Sequence, residues 1–137
     1  MDEAALVSDA TAVVGDRWSL PIVATLMRGP LRYTELRDAL PAIAPNILAA
    51  RLRKLEDDRL LSAERYSERP PRFEYRLTRN GESLAGAIRM LAAWAGRHDG
   101  EHQLASHEAC GTPLEVRWWC PTCAETVDGD ADEEIVV

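Results

Sequence analysis

At 137 residues the chain has room for one core and a short appendage, and its formal net charge of −7 speaks against a general binder of polyanions. No stretch approaches the ~20 consecutive apolar residues of a membrane span. Asp2 and Glu3 stand where a secretory signal would be basic, so the expected location is cytoplasmic. All three cysteines fall between Cys110 and Cys123, too few for an even disulfide framework; in a reducing compartment they read as metal ligands or redox thiols.

The acidic total hides an uneven distribution. Asp16–Arg79 carries 13 Arg and Lys against 9 Asp and Glu, a net of +4; residues 1–15 are −3, residues 80–99 neutral and residues 100–137 −8, which sum to −7. A basic middle between acidic ends is the charge pattern of a local docking surface. Lys54 is the sole lysine among the basic residues. Arginine's planar fork suits bidentate contacts to phosphate or guanine.

In chain order, Met1–Val14 reads as a short helix of small apolar residues stopped by Gly15. Asp16 then caps a second helix to Met27 that buries Trp18, Val23 and Leu26, although Pro21 implies a kink or a later start near Ser19. After an extended piece at Leu31–Tyr33, Thr34 is the predicted cap of a helix Glu35–Leu40, and Pro41–Ala44 is a turn. Pro45 suits the first position of the next helix, which runs to about Asp58 with Leu48, Leu52 and Leu55 as its buried stripe. Leu61–Tyr66 and Phe73–Thr78 read as strands around an exposed tip, Ser67–Arg72; Phe73, Tyr75 and Leu77 alternate with Glu74 and Arg76. Asn80–Arg97 is expected as one long helix, with Leu84, Ile88, Leu91 and Ala95 on one face and Met90 and Trp94 beside it. From Gly100 the chain is acidic and holds every cysteine; Asp128–Glu134 is expected to be disordered.

A helix, a turn, a second helix and a hairpin in this order make a winged helix-turn-helix. With Leu48, Leu52 and Leu55 turned inward, Asn46, Ala49, Ala50 and Arg53 share the outer face of Pro45–Asp58. Recognition helices present their N-terminal part to base edges. Asn46 is therefore assigned to adenine and Arg53 to guanine or phosphate, while Ala49 and Ala50 permit close approach or touch a thymine methyl. Arg51 and Lys54, at the sides, are assigned to phosphate, and Arg69 and Arg72 of the hairpin tip to the backbone or a minor groove. Thr34 and Pro45 complete the predicted contact set.

The same stretch resembles the HxlR-type transcriptional regulators, relatives of the MarR group. The likeness runs from about Val13 to His98. It rests on Gly15-Asp16-Arg17-Trp18, Arg32-Tyr33-Thr34-Glu35-Leu36, Pro45-Asn46-Ile47-Leu48 and above all Tyr66–Thr78, YSERPPRFEYRLT. It implies a homodimeric winged-helix repressor or activator whose first and last helices form the dimer interface, and sensing of a small molecule or an oxidative signal. An effector pocket would lie near that interface, around Trp18 and Trp94. Three positions depart from the family pattern. Ala44 replaces the usual capping serine, at a cost of about 1 kcal/mol. Arg59 replaces the usual glycine after the recognition helix, which points to a left-handed arginine at a cost of about 1 kcal/mol. Met1–Val14 lacks the cysteine that many members carry in the first helix, which removes that route to thiol sensing.

In the tail, His107-x2-Cys110 and Cys120-x2-Cys123 give two pairs spaced for a structural, tetrahedral Zn²⁺, with His102 a competing ligand and Trp118 and Trp119 placed to cover the site. A disulfide between Cys120 and Cys123 is the redox alternative.

The expected fold is mainly α with a small β-hairpin (α+β): a winged helix-turn-helix with N- and C-terminal dimerisation helices over residues 1–99, a zinc-ribbon-like tail over 100–127 and an acidic end over 128–137. The expected function is a homodimeric DNA-binding regulator on an inverted-repeat operator. The competing reading is a metal-stabilised protein-interaction module on the same scaffold. An enzyme is not expected: there is no P-loop, dinucleotide fingerprint or G-x-S-x-G, and His98, His102 and His107 all lie at or beyond the end of the last long helix.

Overall fold

The computed structural model describes residues 2–99, 106–114 and 117–127. Both Asp128–Glu134 and His102 lie outside that set. The chain divides into two compact units, Ala4–Ile88 and a second made of Met1–Glu3 with Arg89–Val137.

Helix α1 (Glu3–Val14) stops where the Gly15 N–H donates to the Thr11 carbonyl, 2.8 Å. Helix α2 (Ser19–Leu26) starts late, as Pro21 requires: the proline falls in the first turn, where its missing N–H has no partner to lose. The Asp16 carboxylate receives the N–H groups of Trp18 (2.9 Å) and Ser19 (3.1 Å) and the Ser19 hydroxyl. Trp18 is only half-buried, with the Arg17 guanidinium over its ring.

Strand β1 (Leu31–Arg32) leads into α3 (Tyr33–Ala39), which begins two residues before the expected Glu35. Thr34 is therefore not the cap. The Glu35 carboxylate accepts the Arg32 N–H at 2.7 Å, which fixes the start at Tyr33 and leaves Thr34 inside the first turn.

Helix α4 (Pro45–Asp57) buries Leu48, Leu52 and Leu55 against Ile22, Val23, Leu26, Leu36, Ile43, Leu60 and Leu61, the core of the Ala4–Ile88 unit. Its start has no side-chain cap at Ala44. Its end is a Schellman closure: the Leu60 N–H reaches the Leu55 carbonyl and the Arg59 N–H the Glu56 carbonyl, both 2.9 Å, with Arg59 left-handed at φ +57°.

Strands β2 (Leu61–Glu68) and β3 (Pro71–Leu77) pair antiparallel, and β3 also pairs with β1, giving the order β1-β3-β2. Both strands run further than expected, so the tip shrinks to Arg69 and Pro70, joined by a cis peptide bond. Arg72 belongs to β3, opposite Ser67. Glu74 and Arg76 do not alternate cleanly to solvent; both are half-buried because Arg76 bridges Glu74 (3.1 Å) and Glu64 (3.3 Å) across the sheet.

The helix expected over Asn80–Arg97 is two, α5 (Arg79–Ser83) and α6 (Ala85–Asp99). Thr78 caps the first, accepting the Gly81 N–H at 3.2 Å and donating to the Arg59 carbonyl at 2.6 Å. Gly81 is pressed against β2's approach, where a Cβ would lie 2.0 Å from the Leu60 oxygen. That close contact sets α5. The Leu84 N–H turns back to the Gly81 carbonyl (3.2 Å), and α6 starts afresh. Leu84 and Ile88 pack on the core, whereas Leu91 and Trp94 are exposed.

In the tail, β4 (Trp118–Cys120) and β5 (Glu125–Val127) form a hairpin, and Ser106 bridges Pro113. No helix among the described residues is long and apolar enough to cross a membrane.

Candidate nucleic-acid interface

Polar ties hold α4 against the rest of its unit, among them the Glu56 carboxylate, which accepts the Ala63 N–H of β2 at 3.3 Å. At its start the Tyr33 hydroxyl donates to the Pro45 carbonyl, 2.9 Å. At mid-helix the Arg51 Nε meets the Asp16 carboxylate at 3.3 Å. Near its end Lys54 Nζ donates to the Val13 carbonyl at 3.0 Å, closing the C-terminus of α1, and pairs with Asp58 at 2.5 Å.

Asp16 thus joins the start of α2 to the middle of α4. Partial burial pushes its carboxyl up, but the Ser19 hydroxyl, the Trp18 N–H, the Arg51 charge and the Ser19 N–H together outweigh that and hold it below its ordinary range. Behind α4, burial raises the Tyr75 phenol, and the nearby Glu56 and Tyr33 push the same way against Arg53. Tyr75 is therefore neutral at physiological pH.

With those ties made, α4 turns Asn46, Ala50 and Arg53 outward, exposed, with Ala49 half-exposed beside them. Pro45 is exposed at the first turn. Arg51 and Lys54 are half-buried and engaged with Asp16, Asp58 and Val13, contacts that orient the helix. Arg69 stands at the hairpin tip. Arg72 lies along the strand, in a cleft of about 320 Å³ that it lines with Arg32, Tyr33, Thr34, Tyr66 and Phe73.

Two cations went unnoticed in the sequence. The Arg32 guanidinium of β1 lies over Tyr66 at 4.6 Å and that of Arg65 over Phe73 at 5.5 Å. The Arg65–Phe73 contact follows from the strand register and was open to inference. The Arg32–Tyr66 contact joins residues 34 apart and left no local signal.

In the tail, His107 Nδ1 lies 3.3 Å from Cys110 Sγ. Thr112, by its hydroxyl and its N–H, holds the Cys110 thiol below its ordinary value; the Cys123 and Thr122 N–H groups and the Cys123 thiol do so for Cys120. Among the described residues no three His, Cys, Asp or Glu side chains gather as a ready metal site.

A buried HTH scaffold that turns one helix outward beside an arginine-bearing hairpin defines a winged helix-turn-helix, the architecture of a DNA-binding regulator. The chain belongs to the HxlR-like helix-turn-helix family, which matches residues 13–103. It is 37% identical over 86 residues to the HTH-type transcriptional regulator YtcD of Bacillus subtilis, covering 63% of this chain and 68% of YtcD. The crystal structure of YtcD superposes with a TM-score of 0.66 at 35% identity, over 70% of this chain and 98% of that one. The HTH-type regulator Rv3095 of Mycobacterium tuberculosis is 34% identical over 125 residues, 88% of this chain and 78% of Rv3095. The reduced form of YodB from B. subtilis matches at a TM-score of 0.60 and 31% identity, over 71% and 93% of the two chains. YodB is also known in diamide-treated and quinone-bound forms. The family is one of transcriptional regulators, not enzymes.

Proposed function

We propose that the protein is a homodimeric regulator that reads an inverted-repeat operator, with one α4 in the major groove of each half-site. The observation that carries this reading is the outward face of α4. Asn46 and Arg53, the side chains suited to bidentate contact with adenine and guanine, stand exposed on either side of Ala50, which leaves room for close approach. Arg69 at the wing tip and Arg72 and Arg32 along the wing supply phosphate or minor-groove grip, with Thr34 and Pro45 at the edge of the surface.

The dimer rests on unburied apolar surface. Leu6, Val7 and Val13 of α1 are exposed, as is Leu91 of α6, apolar positions that a partner helix can cover. A second copy covers both helices. Two α4 helices one DNA turn apart, about 34–36 Å, fix the half-site spacing. Response to a small molecule at the interface is part of this reading, supported by the quinone-bound form of the relative YodB.

The test is binding of the full-length protein to duplex DNA from its own upstream region across a salt series. Specific binding that weakens steeply with salt, as released phosphate counterions require, supports the proposal. Equal affinity for random duplex at every salt concentration contradicts it.

A further inference from the structure

The tail contains two turns of one design. His107 closes the first side of a short hairpin: its N–H donates to the Thr112 carbonyl at 2.9 Å, next to the Ser106–Pro113 bridge. Cys120 closes the equivalent side of the second hairpin, paired with Glu125. In both, the first residue's partner lies five positions on. The Gly111 N–H returns to the His107 carbonyl at 2.7 Å and the Ala124 N–H to the Cys120 carbonyl at 2.9 Å, the same four-residue return. Gly111 takes φ +70° and Ala124 φ +54°, so each turn places a left-handed residue directly after Cys110 or Cys123. For an alanine that conformation is uncommon, so the turn is specified by more than local preference.

Each turn thereby brings two metal-binding side chains together. Zn–S of ~2.3 Å and Zn–N of ~2.0–2.1 Å at a tetrahedral angle place an imidazole nitrogen about 3.6 Å from a thiolate sulfur. The observed His107 Nδ1 to Cys110 Sγ separation is 3.3 Å. In the second turn the Ala124 N–H to Cys120 carbonyl bond closes the loop that carries Cys120 and Cys123 three residues apart. The stretch aligned with Rv3095, 88% of this chain or about 120 residues, extends past residue 103, where the family match ends.

We infer that His107, Cys110, Cys120 and Cys123 are the four ligands of one structural Zn²⁺, each turn supplying half of a tetrahedron. As the described residues stand, the halves are formed and the four side chains are not gathered; the ion draws them together. Three thiolates and one imidazole select zinc over the hard cations, and four protein ligands leave no position open for substrate, so the metal organises the tail and does no chemistry. Binding releases the three thiol protons.

The full-length protein, stripped with a chelator under reducing conditions, is titrated with Co²⁺ and then with Zn²⁺. The expected result is saturation at one equivalent, with the intense visible bands and thiolate charge-transfer absorption of tetrahedral cobalt, displaced by one equivalent of Zn²⁺. His107→Ala, Cys110→Ser, Cys120→Ser and Cys123→Ser each lower zinc affinity by more than about tenfold. Circular dichroism confirms that each variant keeps its helices, and His102→Ala binds as the unaltered chain does. A reduced protein that takes up no metal, a pale octahedral cobalt spectrum, or loss of binding in His102→Ala in place of His107→Ala overturns the assignment.

Discussion

Replacing Arg59 by glycine is expected to stabilise the protein. Arg59 ends the recognition helix in the left-handed region, φ +57°, and its own N–H and that of Leu60 close the last turn. A side chain in that conformation costs about 1–2 kcal/mol. Glycine removes the cost but loses about 0.5–1 kcal/mol more backbone entropy on folding. Both closing hydrogen bonds are made by the backbone and survive, and the lost side chain is exposed. The balance is a gain of roughly 0.5–1 kcal/mol, seen as a rise in melting temperature of roughly 2–5 °C. Thermal and urea unfolding at one fixed protein concentration measure it, since a dimer's stability depends on concentration. Arg59→Ala is the control, because alanine keeps the left-handed cost. An Arg59→Gly protein no more stable than the parent, or an equal gain from Arg59→Ala, refutes the strain argument.

Gly81→Ala is expected to act in the opposite direction. Alanine's better helix propensity is worth at most about 1 kcal/mol, but its Cβ would lie 2.0 Å from the Leu60 oxygen. The resulting backbone shift costs about 1–3 kcal/mol, so the melting temperature falls; an unchanged value shows that α5 can move away freely. Asp16 gives a pH signature. Its folded carboxyl is held below its ordinary value, so its contribution is fully present above the unfolded value near ~3.9 and is lost as pH falls through the lower folded value. The stability advantage of the parent over Asp16→Asn therefore shrinks in acid below about pH 4, and a gap constant across that range contradicts a carboxyl held down by Ser19, Trp18 and Arg51 together. For the wing, Arg69→Ala or Arg72→Ala should reduce the dependence of log affinity on log salt by about one unit each, on operator and random DNA alike. A change confined to the operator would make these residues base readers.

Helix α4 is legible in the sequence because its signals are local. Leu48, Leu52 and Leu55 recur at helical spacing and all three are buried, and Arg59 is left-handed as the glycine usual at that place in the family implies. Pro21 likewise placed the start of α2 near Ser19 from one residue's missing N–H. What escaped depends on contacts between distant residues. Arg51 and Lys54 carry positive charge on an exposed-looking helix, and nothing nearby in sequence announces Asp16 or the Val13 carbonyl as their partners. The break at Leu84, where the N–H turns back to the Gly81 carbonyl, is one that helical periodicity does not reveal. Thr34 was misplaced because a threonine at the right spacing looks like a cap, whereas the Glu35 carboxylate, reaching back to the Arg32 N–H, sets the start.

The most direct test of the DNA-reading surface compares binding of the parent, Asn46→Ala and Arg53→Ala to a set of operators in which each base pair is changed in turn. Loss of about 1–3 kcal/mol of discrimination at one or two base pairs per half-site, with affinity for random duplex nearly unchanged, is the predicted result. If both variants instead weaken operator and random DNA by the same factor, the outward face of α4 grips the backbone and does not read sequence.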